Sequence, residues 1–562
     1  MVLFWGQEEL GAKFFLGAVF IASLAGAGSV CAQALPQIDA GSLLQEQRRS
    51  QIFPQRGTVV LPQEPELMSI SSDSMSLDVR RVHVSGATVF PKESLEFLIT
   101  DLPGENRTLG QLKIAAARIT AHYRRAGYTL ARAYLPQQKM QDGIVTIEVL
   151  EGKLEGVKID NASRLSNEAV GSRLSGVKAG DVFNKSSSER ALLLLSDTPG
   201  AGVVDSRFVP GSQRGESVLV TRLEGVPLLA GRVEADNHGG LYTGRNRIGV
   251  SADLNSALGL GERFSGKVLA SDAELYNARL AAQVPVSHDG LTLGAAVSHN
   301  TYALGNTFKA LDAVGRSSTA ELNLRYPWVR SVDFNVYAQV GYEYRKLKDD
   351  VRSTSTVTEK HANVGTLSAF GDARDGLGRG GLTQASVMWS QGQLAFDSPG
   401  AEAIDALGAK TAGSYSKLYL TAERQQRLPA DFMLNLSLRG QWTDGNLDSS
   451  EKFGLGGPYG VRAFASSEAL GDRGWLGSAE LRYAFSPSIV GSVFHDRGEV
   501  SVNASPYLTT PNTLRRSGNG FGVTGSFGSF DWRASVAWRE GKAGTAEPDR
   551  LPRMWAQAGW RF

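Results

Sequence analysis

The chain has almost no cysteine, one long hydrophobic run only, and no excess of either sign of charge. Its 562 residues hold one Cys, Cys31, which lies in a segment expected to be removed, so the rest of the chain would carry no thiol. That argues against a disulfide scaffold and a thiol catalyst, and it suits a protein that crosses an oxidising compartment unfolded. Lys and Arg number 59 against 57 Asp and Glu, a balance that speaks against nucleic acid as a partner. The 7 His residues are scattered without ligand spacing. Neither Gly-x-Ser-x-Gly nor His-Glu-x-x-His occurs, so no enzymatic activity, metal or cofactor is expected.

The one long apolar run covers residues 14–28, about 15 residues where a membrane-spanning helix needs roughly 20. It leads to Ala32-Gln33-Ala34, a small-x-small pattern. We read residues 1–34 as a secretory signal peptide cut after Ala34, with a signal anchor as the alternative. Glu8 and Glu9 outnumber Lys13 in the flank, which leaves a start downstream of Met1 open.

What the chain does have is Gly, 64 residues of it, and 42% hydrophobic residues with a mean hydropathy of −0.18. That mixture suits a barrel with one greasy and one wet face. The length calls for several domains. Residues 35–76 hold a helical candidate, Ala40 to Ile52, capped by Asp39, and then a Pro/Gln/Ser-rich linker. The helix is polar enough either to sit in a water-filled lumen or to float in solvent.

Two α+β segments follow, 77–152 and 153–226. The first reads as a strand (Val79 to Val84), two helices (Pro91 to Ile99, Leu109 to Ala126) and two strands (Ala131 to Leu135, Ile144 to Leu150), with Gly127 as a helix C-cap. The second repeats that order with a strand at Glu155 to Ile159, helices at Asn167 to Leu174 and Lys185 to Ser196, and strands at Gly202 to Val209 and Ser217 to Leu223. Each three-stranded sheet would leave an edge free to accept a strand from a client. The alternative is a pair of spacers.

Over 227–562 the helical period gives way to alternation. Phe432, Leu434, Leu436, Leu438, Gly440 and Trp442 alternate with Met433, Asn435, Ser437, Arg439 and Gln441, so one face meets lipid and the other water. We place strands near 231–237, 245–254, 262–271, 275–285, 291–300, 316–326, 333–346, 360–373, 380–391, 415–425, 432–442, 475–485, 489–498, 518–528, 530–540 and 554–562. Sixteen is even, so both ends of an antiparallel transmembrane barrel lie on one side. Connections 301–315, 347–359, 392–414, 443–474, 499–517 and 541–553 read as long outer loops, and Pro327-Trp328, Leu428-Pro429 and Ser486-Pro487-Ser488 as tight inner turns. A bore of this size is too wide for side chains to fill, so something must plug or use it.

The long connection 443–474 contains Leu455-Gly456-Gly457-Pro458-Tyr459-Gly460-Val461-Arg462-Ala463-Phe464, dense enough in Gly to fold back into the lumen. The later strand Phe494-His495-Asp496-Arg497-Gly498 puts Phe494, Asp496 and Gly498 on one face, and a carboxylate there must point inward. Read alone, Arg462 is a solvated loop charge and Asp496 a pore-lining carboxylate. Together they resemble the TpsB family, the outer-membrane transporters of two-partner secretion that export filamentous haemagglutinins and haemolysins. In that family the loop between strands eleven and twelve ends in Val-Arg-Gly-Tyr, and its partner strand carries Phe-x-Asp-x-Gly. Here Ala463 replaces the Gly and Phe464 the Tyr.

Asp39 to Gln45 is similar to the family's plug-helix start. Tyr134-Leu135-Pro136-Gln137 with Asp142-Gly143 resembles its first POTRA module, and Leu258-Gly259-Leu260-Gly261 its first periplasmic turn. The chain's end, Trp560-Arg561-Phe562, resembles the terminal aromatic signal read by the barrel-assembly machinery.

The resemblance implies two periplasmic POTRA-like domains and an N-terminal helix ahead of a 16-stranded barrel embedded in outer-membrane lipid of a Gram-negative cell. It implies a lock between Arg462 at the loop tip and Asp496, and export of a large unfolded exoprotein of adhesin or cytolysin class. The alternatives are a barrel-assembly factor of the same superfamily and a passive or ligand-gated porin.

Overall fold

A computed structural model describes residues 38–47, 59–61, 76–140, 142–466 and 468–562. The expected signal peptide, its cleavage site at Ala34 and most of the linker lie outside the described residues.

Sixteen antiparallel strands, from Leu229–Asp236 to Arg553–Arg561, close into one barrel. Every expected segment overlaps one of them. The pattern is inverted relative to a water-soluble protein: Leu322, Val340, Leu438 and Trp442 are exposed on the outer wall, while Arg345, Lys360 and Gln441 are buried within. Alternation along a strand produces this when lipid is the outer solvent. No helix of the described residues is long and apolar enough to cross a membrane; the strands do so instead.

Some expected boundaries are corrected. Connection 347–359 is mostly strand, since Phe334–Val351 and Thr356–Asp375 stay paired as far as Val351↔Thr356. The polar composition there resembles a loop, but the ladder continues above the lipid band, and Leu347 is buried inside it. Pro327-Trp328 is not a turn: Ala313–Arg330 runs through it with a register shift between Pro327 and Val329, and an irregular ladder tolerates the missing proline N–H. Connection 392–414 shrinks around a helix, Pro399–Leu407, with the preceding strand reaching Phe396.

Before the barrel, strands Arg81–Ser85, Ile144–Leu150 and Arg132–Tyr134 form a sheet packed on helix Leu109–Arg125. Thr108 opens that helix with a reciprocal capping box to Gln111, and Gly127, at φ 92°, closes it. A further pairing, Ser76–Val79 with Gly104–Thr108, was not expected.

The next unit has strands Lys153–Asn161, Ala201–Pro210 and Glu216–Gly225 with helices Asn167–Arg173 and Lys185–Ser196. Its expected free edge is occupied. Val59–Val60 pairs in parallel with Ala201–Pro210, matching Val59 to Val204 and Val60 to Asp205. Val59 and Leu61 pack, partly buried, on the unit's apolar core, and that burial holds residues 59–61 against the sheet.

This unit sits against the short barrel turns. Arg330 forks onto Asp197 at 2.7 and 2.9 Å, Arg173 donates to Ser287 O at 2.6 Å, and Arg190 to Pro327 O at 2.6 Å. The turns after strands four and six therefore lie on the side of this unit.

Candidate functional site

Two pieces of the chain block the bore. The first is helix Ala40–Gln47, shorter than expected because positions beyond Gln47 fall outside the described residues. Asp39 caps it, its Oδ1 accepting from Ser42 N at 2.8 Å. Ala40, Leu43 and Leu44 bury one face against Leu275, Tyr302 and Leu347 of the wall and its outer turns. The helix thus sits in the lumen, the choice its sparse apolar content left open. Ala40 N donates to Asp349 Oδ1 at 2.8 Å. A Cβ at Gly41 would collide with Ser449 Oγ and Ser450 N, so glycine permits the close approach of the second obstacle.

That second obstacle is the connection between Phe432–Thr443 and Arg473–Ser486, strands eleven and twelve. It folds inward around Phe453, Leu455, Val461, Ala463 and Phe464, all buried. At its tip Arg462 donates from Nε to Asp496 Oδ2 at 2.8 Å and from Nη2 to Asp496 Oδ1 at 2.9 Å. The Arg462 backbone N–H adds a 3.1 Å bond to Oδ2. Nη1 donates to Glu480 Oε2 at 2.7 Å, and the guanidinium lies 3.2 Å from the Phe494 ring centroid. The fork satisfies both carboxylate oxygens, and the ring supplies a cation–π face, an arrangement lysine cannot reproduce.

The other predicted residues take supporting places. Val461 N bonds to Leu455 O at 2.7 Å and Phe464 N to Val461 O at 3.0 Å, which shapes the tip. The backbone at Ala463 stays out of the left-handed region, so alanine serves where the family has glycine. Phe464 is buried, its ring 5.3 Å from the Arg516 guanidinium. A Cβ at Gly498 would meet Leu455 Cδ2 at 2.6 Å and Trp475 O at 2.7 Å, so the strand lacks a side chain where the loop core presses on it. Trp560 and Phe562 stand apart from this site, stacked at 5.4 Å on the half-exposed outer face of the last strand.

The ion pairs that hold the loop's base are not legible in the sequence. Glu451 engages Arg345 and Lys417 and accepts from Tyr415 Oη at 2.8 Å. Lys452 meets Asp472 at 2.5 Å, Lys360 meets Asp448 at 2.5 Å, and Glu468 takes Arg516 together with the Thr545 and Ala546 N–H groups at 2.8 Å each. All four carboxylates are buried. In sequence these charges look like an ordinary wet loop, because most of their partners lie dozens of positions away.

Comparison with known proteins gives the family and the fold. A family model described as haemolysin secretion/activation protein ShlB/FhaC/HecB matches residues 215–525, more than half of the chain. A ShlB-type POTRA domain model matches residues 77–152. The chain is 28% identical over 413 residues to the heme/hemopexin transporter protein HuxB of Haemophilus influenzae, covering 72% of each. It is 23% identical over 456 residues to the hemolysin transporter protein ShlB of Serratia marcescens, covering 80% of this chain and 79% of that one. In fold it is similar to CdiB from Escherichia coli, with a TM-score of 0.72 at 19% identity over 94% of this chain and 100% of that chain. The chain belongs to the haemolysin secretion/activation family ShlB/FhaC/HecB, outer-membrane transporters of two-partner secretion whose barrel follows periplasmic POTRA domains.

Proposed function

We propose that the two periplasmic units capture an unfolded partner polypeptide and that the bore passes it outward once helix Ala40–Gln47 and the inserted loop give way. The observation that carries this reading is how the loop tip is held. Arg462 is bound to Asp496, Glu480 and the Phe494 ring, polar contacts that water or a passing backbone can replace once the tip is displaced. Apolar packing alone would make a stopper, not a gate.

Capture suits a strand edge, because backbone hydrogen bonds recognise an extended chain with little demand on its side chains. The edge of Ala201–Pro210 is ten residues long, and Val59–Val60 covers two of them. A longer client strand can outcompete so short a resident.

HuxB and ShlB are named for heme/hemopexin and hemolysin, and we assign this chain a large secreted client of adhesin, cytolysin or haem-scavenging kind. No enzymatic step is needed: folding of the client outside the cell prevents its return. Trp560 and Phe562 serve the barrel-assembly machinery during insertion, and the exposed outer wall meets outer-membrane lipid. The test is Arg462→Ala, expressed with a large secreted protein that the parent chain is first shown to export. Export should largely stop while a heat-modifiable barrel remains in the membrane; undiminished export contradicts the lock.

A further inference from the structure

The first and last barrel strands, Leu229–Asp236 and Arg553–Arg561, share a short ladder. It runs from Arg232↔Arg561 to Asp236↔Gln557, with reciprocal 3.0 Å backbone bonds between Gly231 and Phe562 at one end. By contrast, strands six and seven pair from Ala313↔Val351 to Arg330↔Asn335. On backbone bonds alone, the closing seam is among the weaker joints in the wall.

Side chains compensate on both faces. In the lumen Arg232 reaches past the adjoining strand altogether, donating from Nη1 to Asp531 Oδ1 and from Nη2 to Asp531 Oδ2, both at 2.7 Å. Asp531 belongs to Phe530–Glu540, the strand before the last. The guanidinium passes directly over Gly559, where any Cβ would collide with it. One fork therefore ties three consecutive strands across the seam, and Arg561 Nε stands 3.7 Å from the same carboxylate. At the outer end Asn237 Oδ1 accepts from Ala556 N at 2.8 Å. On the lipid face the Phe562 ring fills the space a Cβ would take at Gly231.

We propose that Arg232, Gly559 and Asp531 form a staple that keeps this seam shut during transport, so that the polypeptide travels along the bore and never leaves sideways through the wall. A barrel that releases its client into lipid must part its wall, and a bidentate ion pair laid across the closing joint opposes that. The staple rests on the export reading above, and it separates this chain mechanistically from a factor that inserts other barrels.

Ala235 and Ala558 face each other directly across the seam, and the sequence holds no cysteine besides Cys31. The Ala235→Cys/Ala558→Cys variant can therefore be locked by oxidation in intact cells, and export of the same secreted protein compared with and without reductant. Equal export in both states is the expected result. Export that needs the reductant would show that the seam must open and overturn the staple. Absence of export even with reductant, while the unmodified chain also fails, would instead count against the export reading.

The second arm is Arg232→Gln, which should lower by about 5 °C the temperature at which the barrel loses its compact form in detergent. Oxidising the cysteine pair in the same chain should restore it. An unchanged transition, or a lowered one that the disulfide does not rescue, would place the role of Arg232 elsewhere.

Discussion

Ser449, in the loop that enters the bore, donates a 2.5 Å hydrogen bond to Oδ2 of Asp39, the residue whose Oδ1 caps the lumenal helix. One carboxylate thereby holds both obstacles, and Lys360 Nζ lies 3.8 Å from it. Helix and loop are coupled through this group.

Asp39→Ala should loosen both at once. Loss of the cap alone costs about 1 kcal/mol of helix stability, and the bond from Ser449 is lost with it. In planar bilayers the variant should open more often and for longer than the parent. Unchanged, mostly closed traces would show that the apolar contacts of Leu43 and Leu44 hold the helix unaided.

Arg462→Lys separates charge from geometry. Lysine keeps the cation but cannot fork onto Asp496 while reaching Glu480, so export should fall between the parent and Arg462→Ala. Asp496 is 1% exposed, and removing the guanidinium that neutralises it in the alanine variant costs about 3 kcal/mol of loop docking. Quantifying the secreted client in culture medium checks the order; equal export from lysine and arginine would reduce the lock to a point charge.

Val60→Pro removes a backbone donor from the short strand that covers Ala201–Pro210. Amide exchange around Val204 and Asp205 should quicken, and membranes carrying the variant should bind more of the client's N-terminal region. Slower or unchanged binding would mean that this edge is not where capture occurs.

The first periplasmic unit should lose stability in acid through Glu151. Burial alone would raise its carboxyl, but hydrogen bonds from Thr88 Oγ1, Val89 N and Tyr123 Oη outweigh that and hold it below its ordinary value. A group depressed in the folded state stabilises fully above its unfolded pKa, roughly 4.3, and its contribution disappears as pH falls through the lower folded value. Amide exchange in helix Leu109–Arg125 should therefore accelerate below that range. Glu151→Gln should be less stable at neutral pH and nearly flat across the window; an equally steep acid response in the variant would assign the effect to another carboxylate.

The sequence revealed most where one solvent boundary governs a whole segment. Phe432 to Trp442 alternates cleanly because every second side chain meets lipid, and Arg462 and Asp496 stood out because two motifs had to match together. Residues with distant partners stayed hidden. Val59 and Val60 look like linker until the edge at Val204 is available to them, and Leu347 looks like loop until helix Ala40–Gln47 covers it. Glu451 and Glu468 read as solvated charges since Arg345 and Arg516, which neutralise them, are 106 and 48 positions away.

The most direct test is to halt a secreted client halfway, by fusing a stably folded domain to its C-terminus, and to place a photo-crosslinking amino acid at Arg439 or at Leu438. These neighbours face the lumen and the lipid respectively, Leu438 being 54% exposed on the outer wall. Passage through the bore predicts strong cross-links to the arrested chain from position 439 and none from position 438. Cross-links from 438 alone, or equally from both, would contradict it.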